Sequence, residues 1–109
     1  MKYMNKLERS LKSSKTLNLL GIANKANKIV VGPKVLIDIK SIRFIFIAND
    51  SSLNSQKKYK DKCAFYKIKY SLEFTSEELS IAIGQVNRNV IGITDLGFSK
   101  KFVELNEGG

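Results

Sequence analysis

Nineteen basic side chains, 16 lysines and three arginines, are the chemically capable groups of this 109-residue chain, and the groups of a conventional enzyme are largely missing. There is no histidine and a single cysteine, Cys63. That excludes Ser-His-Asp and Cys-His nucleophilic sites, histidine metal ligands, thiolate zinc sites and iron–sulfur clusters. No metal or cofactor is implied. A lone cysteine also rules out an internal disulfide framework and suits a reducing cytoplasm. What remains is the chemistry of charge and hydrogen bonding. Lys28 and Lys34 flank Gly32-Pro33, where a glycine lets the backbone approach a ligand closely. Arg88 stands between Asn87 and Asn89, a rigid fork of donors beside two amides that both donate and accept.

The charge is unevenly spread along the chain. Residues 1–62 hold 14 Lys/Arg against four Asp/Glu, a net +10, and residues 63–109 hold five against six, a net −1, which together make the chain's +9. A small protein this basic attracts polyanions, of which RNA is the commonest in a cytoplasm. The competing explanation is a solvated surface in a chain whose 16 Lys, 12 Ile and nine Asn follow AT-rich codons. The longest apolar run, Phe44–Ala48, is strand-sized and far short of the roughly 18–20 residues a membrane span needs. The first ten residues hold no apolar core region, so no secretory signal is expected and neither is a membrane.

These groups must be positioned by a regular scaffold, and the hydrophobic pattern predicts one. Lys2, Lys6, Arg9 and Lys12 make residues 1–12 a basic N-terminal tail or a helical extension, with Tyr3 free to stack on a base. Ser13-Ser14 offer an N-cap for a helix carrying Leu17, Leu20, Ile22 and Ala23 inward. Ile29–Val31 reads as a short strand, and Pro33 opens a helix running to about Ser41 with Val35, Leu36 and Ile39 inside. Phe44–Ala48 reads as a central strand covered on both faces. A helix follows to about Phe65, with Leu53, Tyr59, Cys63 and Ala64 inside, Lys57, Lys58, Lys60 and Lys62 outside, and Asp50 in its cap. Lys69–Ser71 is a strand, Ser76 to about Ile83 a helix capped by Thr75 or Ser76, and Val90–Thr94 a strand. Asp95 caps a last helix through Leu96, Phe98, Phe102 and Leu105. Helices alternating with four strands imply an α/β protein, one α-β-α sandwich over residues 13–109.

Several blocks in order resemble a known family. Lys15 to Gly32, Phe44 to Asp50, Lys62-Cys63 with Tyr66, and Ala82-Ile83-Gly84 through Arg88 to Thr94-Asp95-Leu96-Gly97-Phe98 are similar to the YlxQ-type bacterial ribosomal-protein-like family. That family belongs to the kink-turn-binding ribosomal-protein superfamily of the L-seven-Ae type. The resemblance spans Lys15 to about Leu105. It implies a three-layer α-β-α sandwich around a mixed four-stranded sheet. It also implies recognition of RNA kink-turns, sharp bends with tandem sheared G·A pairs. The contacts would come from the strand–helix junction at Lys28 to about Asp38 and the facing loop at Val86–Asn89, brought side by side at one end of the sandwich. The RNA-binding residues are then Lys28, Gly32, Pro33, Lys34, Asn87, Arg88 and Asn89. The chain departs from the family pattern in its junction: Pro33, Lys34 and Val35 replace a polar or acidic pair, and Asp38 stands where a lysine is expected.

The expected function is a non-catalytic, cytoplasmic, monomeric RNA-binding protein. It would be ribosome-associated or ribosomal-like, with ribosomal RNA or another structured RNA as partner. The alternative is a protein-interaction module on the same fold, because fold does not fix function. Cys63 reads as a packed core thiol, and the Lys57–Lys62 run as a mainly solvated face.

Overall fold

A computed structural model describes residues 5–106, so Tyr3 lies outside the described residues. Their order is α1 (Lys6–Lys25), β1 (Ile29–Val31), α2 (Lys34–Ile37), a 3-10 turn (Ile39–Ser41), β2 (Phe44–Ile47), α3 (Leu53–Tyr66), β3 (Lys69–Ser71), α4 (Ser76–Ala82), β4 (Val90–Ile93) and α5 (Leu96–Asn106). The four strands form one mixed sheet in the order β1-β4-β2-β3. β4 runs antiparallel to both β1 and β2, and α3 carries the chain across to β3, which is parallel to β2. The fold is a three-layer α-β-α sandwich.

All four side chains of β2 are buried, and alternation sends them to opposite faces. Phe44 and Phe46 join Leu20 of α1, Leu79 of α4, Ile91 and Ile93 of β4, and Phe102 of α5. The rings of Phe44 and Phe46 lie 5.1 Å apart edge to face, and Phe102 closes on Phe46 at 4.9 Å, nearly perpendicular. Such edge-to-face pairs add about 0.5–1.5 kcal/mol beyond their area burial. Ile45 and Ile47 point the other way, into an aliphatic cluster with Val35 of α2, Ile39, Ile42, and Tyr59 and Cys63 of α3. Burial pushes the Cys63 thiol up to about 11.

On the aliphatic face one segment approaches the sheet closely. Gly92 lies in β4 opposite Val30 and Ile45, beneath Ile42. A Cβ there would sit 2.7 Å from Ile42 Cδ1 and 3.2 Å from Val30 Cγ2. The segment after α2 therefore packs directly onto the backbone of the sheet.

Several local expectations are corrected. Helix α1 begins at Lys6, not after Ser13-Ser14: the Asn5 side chain accepts the Glu8 N–H at 2.8 Å. Ser13 lies inside the helix and donates to Glu73 Oε2 at 2.6 Å. The inward stripe of α1 is Thr16, Leu20 and Ala23, and Ile22, two residues from Leu20 and so nearly opposite it, is exposed. The helix expected to reach Ser41 stops after one turn and tightens into the 3-10 turn beyond Asp38. In α3, Tyr59 and Cys63 are buried four residues apart, whereas Ala64 lies about 100° further round and Leu53 is at the free first turn, so both are exposed. Leu96, at the start of α5, is exposed too. Asp50 does not cap α3, whose N-cap is Ser52. Its carboxylate accepts from the Ser76 N–H at 2.9 Å and the Ser76 hydroxyl at 3.1 Å, which ties the end of β2 to α4. That backbone bond holds the Asp50 carboxyl below the usual carboxylate range.

Two outcomes follow from this packing. Gly92→Val should destabilise the protein by about 1–3 kcal/mol through overpacking, read as a lower midpoint in urea denaturation. Cys63 should resist a thiol reagent such as DTNB at pH 8 in the native state and react at once in guanidinium, because its thiolate is disfavoured while buried.

Candidate functional site

The two segments expected to act together meet at one end of the sheet. β1 ends at Val31 and Gly32 continues the ladder for one more bond, its N–H donating to Val90 O at 3.1 Å. Gly32 has φ +65°, in the left-handed region where an L side chain is strained by roughly 1–2 kcal/mol. A Cβ built there would lie 4.0 Å from Arg88 Nη1. The guanidinium of the loop thus lies on the side of Gly32 where a side chain would stand.

The loop before β4 is held from below by Ser80, a buried residue of α4. Its hydroxyl accepts the Arg88 N–H at 2.8 Å, and its carbonyl accepts the Gln85 N–H at 2.9 Å. Asn87 takes φ +55°, which asparagine tolerates better than most residues. The Asn89 carbonyl accepts the Ala48 N–H at 2.8 Å and pins the loop to the end of β2. Asn87 and Asn89 present exposed side chains on either side of half-buried Arg88. The Arg88 Nε is buried and without a hydrogen-bond partner, and Arg88 forms no ion pair among the described residues. An arginine stays charged at any ordinary pH, so the half-buried side chain brings a permanent positive charge and a fork of donors to the loop.

The junction supplies less than a helix N-terminus normally would. The Val35 N–H bonds Gly32 O at 3.0 Å and the Leu36 N–H bonds Pro33 O at 3.1 Å, so these donors are already used, and Pro33 has none. Lys34 is exposed with its Nζ 4.0 Å from Asp38 Oδ2. That contact is worth under about 1 kcal/mol at the surface, but it dilutes the lysine's charge. Next to the loop, Asp50 and Glu77 line a shallow cleft with Val86 and Asn87.

One expected member is placed elsewhere. The Lys28 carbonyl accepts the Thr94 N–H, at the far end of the β1–β4 ladder from Gly32. The three residues of β1 separate the two, four steps of the chain and roughly 13 Å. The structure therefore gathers Gly32, Pro33, Lys34, Asn87, Arg88 and Asn89 and leaves Lys28 at the opposite end. On α3, Lys57 pairs with Asp61 at 3.0 Å and the Lys58 ammonium lies 5.5 Å from the Tyr59 ring centre. Ser80, which the sequence did not single out, anchors the loop. Its signal is a small hydroxyl beside Leu79 on the inner side of α4, just before a loop that needs anchoring.

Ser80→Ala should leave the Arg88 N–H without its acceptor and lower stability by about 1–2 kcal/mol. Amide hydrogen exchange at Arg88 should accelerate far more than at Ile91 in the neighbouring strand.

No family model matches the chain. Among curated proteins, the "RNA-binding protein YlxQ" of Enterococcus faecium is 41% identical over 86% of this chain and 93% of its own. The "RNA-binding protein YlxQ" of Bacillus subtilis is 38% identical over 80% of this chain and 90% of its own. Among solved structures, a Bacillus halodurans protein of unknown function superimposes with a TM-score of 0.80 at 31% identity, covering 85% of this chain and 97% of that one. A Giardia lamblia "15.5kD RNA binding protein" superimposes with a TM-score of 0.71 at 18% identity, covering 99% and 94%. The last similarity speaks for the fold.

Proposed function

The chain belongs to the YlxQ family, and from that membership we propose that it is a non-catalytic RNA-binding protein recognising a kink-turn or a similarly bent RNA. The observation that carries this reading is the meeting of junction and loop at one end of the sheet, where Gly32 bonds Val90 and the Arg88 Nη1 lies 4.0 Å from where a Gly32 Cβ would stand. Both curated relatives are named as RNA-binding proteins, which supports RNA as the partner. The partner is a structured RNA, ribosomal RNA or another that carries such a bend, met as a monomer in the cytoplasm on or near the ribosome. No helix among the described residues is long and apolar enough to cross a membrane.

The chemistry follows from the groups present. Arg88 presents a fork of donors matched to the paired acceptors of a base edge, and Asn87 and Asn89 add donors and acceptors beside it. Bases are within reach where an RNA helix is broken, because an intact A-form major groove is too narrow for side chains. Gly32 leaves space for backbone close to the bend. Lys34 contributes phosphate attraction, reduced by Asp38.

Fluorescence anisotropy on a kink-turn RNA and a copy with its G·A pairs disrupted, at two salt concentrations, tests the reading. Wild type should prefer the kink-turn. Arg88→Ala should cost about 1–3 kcal/mol and erode that preference, whereas Lys34→Ala should weaken both RNAs alike and lower the salt slope by about one contact. Asp38→Asn should strengthen binding by releasing Lys34. Equal, weak binding of wild type to tRNA, duplex DNA and the kink-turn would overturn specific recognition.

A further inference from the structure

The charge that drives RNA binding is not where the bend would be read. At the Arg88 end, Lys34 is paired with Asp38, and Asp50 and Glu77 line the cleft beside Asn87. The opposite end of the sheet differs. The register aligns Ile29, Ile93, Phe44 and Lys69 across β1, β4, β2 and β3. Lys28 and Arg43 immediately precede two of these positions, so both project from that end with Lys69. Behind them a groove of about 410 Å³ runs between the start of β3 and α5, lined by Arg43, Lys67, Lys69 and Lys100, with Glu104 as its carboxylate. Arg43 and Lys67 also line an adjoining cleft with Lys40. Ser99, in the groove wall, is 97% buried by its exposure of 3%, and its hydroxyl has no hydrogen-bond partner.

This strip is assembled from both halves of the chain: Lys40 and Arg43 come from the basic half, Lys67, Lys69 and Lys100 from the half whose net charge is −1. Its cations are exposed, so their attraction for a polyanion is screened by salt. The geometry suits a phosphate backbone. Lysines act as point charges that need no base-edge alignment, and several along one rim attract a chain of phosphates spaced a few ångströms apart. The strands that separate this rim from Arg88 are about 13 Å long. That is well under one turn of a nucleic-acid duplex, about 34 Å in B-form DNA, so an RNA held at Arg88 has arm enough to reach the rim.

We propose that the end of the sheet opposite Arg88, with Arg43, Lys67, Lys69 and Lys100 around the Ser99 groove, is a second RNA surface that grips the phosphate backbone of a helical arm without reading bases. It rests on the RNA-binding reading above and adds a site to it: one end reads the bend and the other holds an arm.

The test uses full-length protein and two labelled RNAs, a kink-turn with one arm cut to about three base pairs, too short to span the distance between the two ends, and the same RNA with the arm extended by about one helical turn. Wild type should bind the extended RNA more tightly. The combined variant Arg43→Glu/Lys67→Glu/Lys100→Glu should lose that gain, weakening the extended RNA by about 10–100-fold at low salt and reducing its salt slope by about two to three. Its preference for intact over disrupted G·A pairs should be unchanged. Arg43→Gln/Lys67→Gln/Lys100→Gln should move both readouts in the same direction by less, and thermal melts of both variants establish that the fold persists. An extended-RNA affinity and salt slope untouched by either variant, with Arg88→Ala still weakening binding, would overturn the second surface and leave the function standing. Wild type binding neither RNA would overturn both. Polyglutamate bound by wild type in place of RNA, and lost in the glutamate variant, would reassign the strip to an acidic protein and overturn this inference.

Discussion

β2 has no solvent face, and the architecture follows from that constraint. Four consecutive apolar residues with period-two alternation require cover on both sides of the sheet. The alternation also divides the cover into two kinds. Phe44 and Phe46 collect the aromatic cluster under α1, α4 and α5, and Ile45 and Ile47 collect the aliphatic cluster under α2 and α3. A register slip of one residue would exchange these sets, placing phenylalanines where Gly92 admits no additional volume. The register is therefore fixed from both faces, and with it the two ends of the sheet.

Those ends are where the chain exposes its useful groups. At the end where β1 and β2 finish and β4 begins, backbone hydrogen bonds from Gly32 to Val90 and from Ala48 to Asn89 hold junction and loop to the sheet. Ser80 adds a side-chain anchor for Arg88 from the aromatic side. The loop is consequently not a free connector: its backbone is tied at Arg88 and Asn89, and the Arg88 side chain starts from an anchored position. At the other end the strands begin with cations. The division is one of chemistry as well as of space: hydrogen-bond geometry at Arg88, density of charge around Arg43 and Lys67.

The legibility of the site in the sequence followed the range of the interactions concerned. Arg88 between two asparagines and Gly32 before Pro33 were visible because their character is local: a positive φ, a polar loop, an arginine in a lysine-rich chain. The resemblance puts Lys28 in the junction with Gly32, but the extended strand between them converts a small separation in sequence into a large distance. The cap at Asn5 was legible from Asn5 and Glu8 at N-cap and N3 spacing, and the nearby pair Ser13-Ser14 obscured it. Asp50 illustrates the converse. Its neighbours Ser51 and Ser52 suggested a cap for α3, and its partner is Ser76, 26 residues away.

By itself the sequence determined the alternating element order, the doubly covered strand at Phe44, the basic character, and the absence of histidine and cysteine chemistry. These depend on composition, on periodicity and on hydrogen bonds within a few residues, all of which are properties of the linear chain. Only the tertiary structure decided that the Arg88 guanidinium lies on the open side of Gly32, that Ser80 holds the loop, that Asp38 sits by Lys34, and that Arg43, Lys67, Lys69 and Lys100 share one rim. The physical reason is strand pairing. Which strands become neighbours, and in which register, is set by burial summed over both faces of the sheet, and no local spacing encodes which chain segments it brings together at either end.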